Sequence, residues 1–90
     1  MKLETAKLIE KAAEVLGVKV KIYEDYSGRG MFGRTTTAIV GDQSDITRAT
    51  MWAAYELGRD SLEDSDPIDA FMDDTNFKWD NMGRSDMVAY

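Results

Sequence analysis

The chain has 90 residues, with 11 lysines and arginines against 17 aspartates and glutamates, a net charge of −6, and neither histidine nor cysteine. The length suits one small α+β domain over residues 1–90. The missing side chains exclude thiol chemistry, imidazole acid–base work, Ser-His-Asp and Cys-His arrangements and most transition-metal sites. No run of ~18 apolar residues is present to span a membrane, and Met1-Lys2-Leu3-Glu4 leads into an amphipathic pattern rather than a signal-peptide core, which points to the cytoplasm.

The charge is uneven. Residues 1–58 carry eight basic and eight acidic side chains, whereas residues 59–90 carry three basic and nine acidic ones. The whole net charge therefore falls in the last third of the chain.

Residues 3–16 read as a helix. Leu8, Ile9, Ala12, Val15 and Leu16 recur at the spacing of one face, Lys7, Glu10, Lys11 and Glu14 take the other, and Gly17 stands where a left-handed C-cap is expected. Residues 18–23 alternate: Val18, Val20 and Ile22 share one side, and Lys19, Lys21 and Tyr23 the other, the pattern of a half-buried strand. Residues 35–40, rich in β-branched side chains, predict a second strand, with residues 24–34 as a long hairpin connection.

A second helix is predicted from Ile46 to Leu57, capped by Ser44 or Asp45 and stopped by Gly58, with Ile46, Ala49, Ala53 and Leu57 as its stripe. A short third helix begins at Pro67 with Asp66 as cap, and Ile68, Phe71 and Met72 form its apolar side. Residues 76–79 and 84–90 are then read as two strands about an Asp80-Asn81-Met82-Gly83 turn. The expected fold is α+β in the order α-β-β-α-α-(β-β), a small antiparallel sheet packed by two main helices. Val18, Val20 and Ile22 should face Leu8, Ile9, Ala12, Ile46 and Ala53.

Gly28-Arg29-Gly30-Met31-Phe32-Gly33 matches G-x-G-x-x-G literally. A dinucleotide site needs a helix after that loop, and a strand pattern follows here instead. A kinase phosphate loop has the right flanks but lacks its companions: no lysine follows until Lys78, and no His-Arg-Asp or Asp-Phe-Gly segment exists. Two main readings of the loop stay open: glycines permitting a tight hairpin, or a contact tip presenting Arg29, Met31, Phe32 and Arg34. A nucleotide or small-anion site is a lesser alternative, opposed by Glu24 and Asp25 on the stem.

The acidic stretch including Asp60, Glu63, Asp64, Asp66, Asp69, Asp73, Asp74 and Asp80 has a bland reading as a solvated, helix-capping face and a sharper one as a surface that meets a basic partner. A Ca²⁺ loop fits poorly, since counting from Asp64 puts Asp69 at the glycine position and Thr75 at the glutamate position. Direct nucleic-acid binding is disfavoured because no basic cluster exceeds Lys19/Lys21 or Arg29/Arg34. No nucleophile, cofactor or metal site is assigned, and no enzymatic activity is expected.

Tyr26-Ser27-Gly28-Arg29-Gly30-Met31-Phe32-Gly33 resembles a Tyr-Ser-Gly-Arg-Gly-Met-aromatic-Gly stretch of small orphan proteins of tailed phages and prophages. The resemblance implies an early or accessory phage gene and carries over no functional residue. Small acidic phage proteins of this size, many anti-CRISPRs among them, act by binding and blocking a host machine; that likeness is one of size and charge. The expectation is therefore a non-enzymatic inhibitor in the cytoplasm of an infected bacterium. Its partner would be a host protein with a basic nucleic-acid-binding surface. The candidate contacts are Asp64, Asp66, Asp69, Asp73 and Asp74, with Arg29, Met31 and Phe32 as secondary anchors. The alternative is a structural or oligomerising accessory module, and a homodimer that buries Met31 and Phe32 is one arrangement open to it.

Overall fold

The computed structural model describes residues 1–27, 33–60, 66–81 and 86–90, with the backbone alone for Asp60 and Asp66. Its elements are α1 (Leu3–Leu16), β1 (Val20–Tyr26), β2 (Thr36–Gly41), α2 (Gln43–Asp60), α3 (Asp66–Asp74), β3 (Trp79–Asn81) and β4 (Met87–Ala89). The fold is α+β, in the expected order. The four strands form one antiparallel sheet in the order β1-β2-β4-β3, so β4 lies between β2 and β3.

α1 ends as its sequence dictates. Gly17 adopts φ 72°, its N–H donates to the Glu14 carbonyl at 3.2 Å, and the Val18 N–H donates to the Ala13 carbonyl at 3.0 Å. That pair of bonds is a Schellman motif, which satisfies carbonyls the helix would otherwise leave open. α2 begins earlier than expected. Its cap is Asp42 rather than Ser44 or Asp45: the Asp42 carboxylate accepts from the Ser44 N–H at 2.9 Å and the Ser44 hydroxyl at 2.7 Å. The Asp42 carbonyl takes the first helical bond, from the Ile46 N–H at 2.9 Å.

Gly58 does not stop α2, which runs on to Asp60. A methyl group there would sit 3.2 Å from Ile68 Cδ1 of α3, so this glycine makes room for a neighbouring helix instead of ending its own. Gly41 also answers to packing: a Cβ would lie 2.9 Å from the Lys19 carbonyl oxygen, closer than side chains come.

The core is built from small and branched side chains. Ala6, Ile9, Ala12 and Ala13 of α1 meet Ala49, Ala53 and Ile46 of α2 over Ile39 and Ala89 of the sheet, with Phe71 of α3 closing one end. Alanines along both helices allow a short interaxial distance. Val18, Val20 and Ile22 pack against this cluster, while Lys19, Lys21 and Tyr23 stay exposed, as the alternation required. Leu8 and Val15 depart from expectation. They are 39% and 65% exposed, because Thr5, Ala6, Ile9 and Ala13 take the buried stripe one step round the helix. The expected turn at residues 80–83 is also displaced, since Asp80 and Asn81 belong to β3.

Candidate functional site

Of the acidic candidates, α3 places Asp69 and Asp73 in solvent, four residues apart and so on one side of the helix. Met72, expected on the buried side, is 57% exposed beside them, while Phe71 is buried beneath. The result is an apolar side chain flanked by carboxylates on the segment that carries the net charge. Asp64 and the loop residues Arg29, Met31 and Phe32 lie outside the described residues, as does the side chain of Asp66.

Asp73 sits at the electrostatically unfavourable end of α3. The last turn of a helix carries the negative end of its dipole, and an acid there costs about 0.3–1 kcal/mol. The last turn of α3 has no basic residue, and among the described residues the Asp73 carboxylate has no partner.

Asp74 serves the interior of the molecule. Its carboxylate accepts from the Lys2 N–H at 2.9 Å and from the Thr5 hydroxyl, tying the end of α3 to the start of α1, where no side chain of α1 itself provides a cap. Partial burial pushes the Asp74 carboxyl up. The hydrogen bonds from Thr5 and the Lys2 N–H, helped by the terminal ammonium and Lys2, outweigh it and hold the group below its ordinary value. The Asp42 carboxyl is likewise lowered, by the Ser44 hydroxyl first and then the N–H groups of Asp45 and Ser44.

A group lowered on folding stabilises the native state above its unfolded value, and that contribution fades as pH falls through the folded value. The urea midpoint should therefore be flat from neutral pH to about 5 and drop below the ordinary carboxylate value of 3.8. An Asp74→Ala variant should lose about 1 kcal/mol at pH 7, as lost helix caps do, and show a shallower acid drop. Denaturation series at pH 7, 5 and 3 would measure both, and an equal drop in the two proteins would remove Asp74 from the account.

The sheet's second face was missed as a feature because its alternation reads simply as the polar side. The register puts Lys21 and Tyr23 of β1, Ala38 and Val40 of β2, Val88 of β4 and Asp80 of β3 on that face. Tyr26 comes back to it through a bulge between Tyr23 and Tyr26. Its ring lies 6.0 Å from Tyr23 and 5.2 Å from Tyr90, and its hydroxyl donates to the Asp80 carboxylate. That bond joins the two outer strands across β2 and β4. Ala38 and Val88, both fully buried, lie on the strands it spans. Asp80 is thereby committed to the fold rather than offered to a partner.

A third surface lies on the outer side of the helices. Leu8, Val15, Trp52, Ala53 and Leu57 line a groove between α1 and α2 together with Lys11 and Glu56. Met51 and Tyr55, 67% and 59% exposed, continue it past Trp52. The Trp52 and Tyr55 rings stand 5.9 Å apart.

No family model, curated protein or solved structure matches this chain. Among the described residues no three acids gather closely enough to hold a metal ion, and no helix is long and apolar enough to cross a membrane.

Proposed function

We propose that this chain is a non-enzymatic inhibitor of the phage type, which binds a host protein bearing a basic nucleic-acid-handling surface and uses α3 as its contact. The observation that carries this reading is the solvent side of α3, where Met72 stands exposed among Asp69 and Asp73. Methionine is a favoured interface residue, and carboxylates around an apolar anchor guide a basic partner onto it. Asp73, without a partner among the described residues at the end of its helix where a carboxylate is disfavoured, supports the same reading. The phage context rests on the resemblance of residues 26–33.

Capture from bacterial lysate on the immobilised protein, followed by kinetics with the captured species, tests the proposal. One stoichiometric bacterial protein is expected, with an association rate that falls steeply as salt shortens the Debye length from about 10 Å at 0.1 M to about 3 Å at 1 M. Asp69→Asn with Asp73→Asn should slow association roughly two- to tenfold at low salt. Met72→Ala should weaken binding by about 1 kcal/mol or more, chiefly through dissociation. Asp74 is left intact because it caps α1. Failure to capture any bacterial protein, or an unchanged rate for the double variant, would overturn the proposal.

A further inference from the structure

α3 is fastened to the rest of the molecule at few points. Of its described side chains Phe71 alone is buried, Ile68 and Asp74 are half-buried, and the rest stand in solvent. Ile68 lies beside Gly58 of α2, the element against which α3 chiefly packs. Among the described residues its only hydrogen bonds to another element are those that the Asp74 carboxylate accepts at the start of α1, from the Lys2 N–H and the Thr5 hydroxyl.

The other elements are joined without it. α1 packs on α2 and β1, β1 pairs with β2, and β4 pairs with both β2 and β3, so the strands that follow α3 in the chain are held by the sheet. α3 cannot stand free in its turn. Its nine residues are fewer than the ~12–15 that an isolated helix needs. Asp73 and Asp74 also lie at the end where the helix dipole disfavours an acid. For Asp74 that cost is offset only while α3 is seated, because the same carboxylate then meets the start of α1, the end that favours an acid.

We infer that α3 is a cover that opens as a unit, with Phe71 as its plug and Asp74 as its latch, while α1, α2 and the sheet stay folded. Opening withdraws one large apolar side chain and two hydrogen bonds, a small part of what global unfolding breaks. In the open form α3 melts, and Phe71 and the end of the core that it closes meet water. No partner is needed for this, so the opening is independent of the α3 contact proposed above.

Native-state amide exchange followed by NMR at neutral pH tests the device. In the wild type the amides from Phe71 to Thr75, the last of which donates to the Phe71 carbonyl, should share one protection factor. It should lie about tenfold or more below that of Ile39 and Val40, which are paired on both sides of β2. Two variants separate this opening from global unfolding. Ile39→Val weakens the body in the closed and open forms alike, so it should lower protection in β2 about two- to tenfold and leave α3 unchanged. Asp74→Ala removes a contact present only in the closed form, so it should lower protection in α3 and β2 by the same factor, about fivefold. Amides of α3 as protected as Ile39 overturn the inference, because α3 then breaks only with the whole molecule. So does an α3 that loses protection together with β2 in Ile39→Val, or one whose protection is unmoved by Asp74→Ala.

Discussion

Replacing Ile39 with alanine is expected to cost about 2–5 kcal/mol, the range for deleting a branched side chain from a tightly packed core. Ile39 is fully buried on β2, the strand paired with β1 on one side and β4 on the other, directly opposite Ile22 and Ala89. Its neighbours from the helices are largely alanines, too short to move into the space it would leave. A chain of this size has a total stability of about 5–13 kcal/mol, so against the middle of that range the loss takes roughly a fifth to a half of it. The measurement is a urea titration in which the midpoint falls and the slope holds. A cost below about 1 kcal/mol would mean that the cavity collapses and that the core is not centred on β2.

Val88→Asp should be worse still. Val88 is fully buried on β4, a strand of only three residues held on both sides, and it faces Val40 and Asp80 in register. An aspartate there places a second carboxyl across from Asp80, whose own carboxylate is already taken by the Tyr26 hydroxyl. Removing a carboxylate from water without a partner costs several kcal/mol, and the group responds by holding its proton to higher pH. A raised folded value means that the penalty grows as pH rises through it and shrinks in acid. Melts compared with the wild type at the same pH should therefore show the variant largely unfolded at pH 8 and closer to the wild type at pH 4. A pH-independent deficit would show that lost packing, not buried charge, dominates.

The local elements were legible because their signals lie within a few residues of each other. The stripe of α1 with Gly17 behind it, and the alternation of Val18, Val20 and Ile22, needed nothing from elsewhere. Features set by distant partners were not legible. Gly58 looks like a helix stop until Ile68 is brought against it. Leu8 and Val15 pass for core residues because Thr5, Ala6 and Ala13, which take their place, have weaker hydropathy. Asp74 resembles its acidic neighbours until α3 meets the start of α1, and Met72 resembles Phe71 until the helix turns one of them out. At the candidate site, the exposed pair Asp69 and Asp73 was readable from composition, whereas the Tyr26–Asp80 bond joins residues 54 positions apart.

The position of β4 has a consequence for the chain as it is made. β2 is complete at Gly41, but the strand that covers its inner edge begins at Met87, 87 − 41 = 46 residues later. At about 5–20 residues per second, synthesis of the covering strand lags that of β2 by roughly 2–9 s. Val40 and Ile39 are then open to pairing with any other extended chain, including a neighbouring nascent copy. Slow translation of residues 42–86 would lengthen that interval and raise the insoluble fraction, even though the finished protein is unchanged.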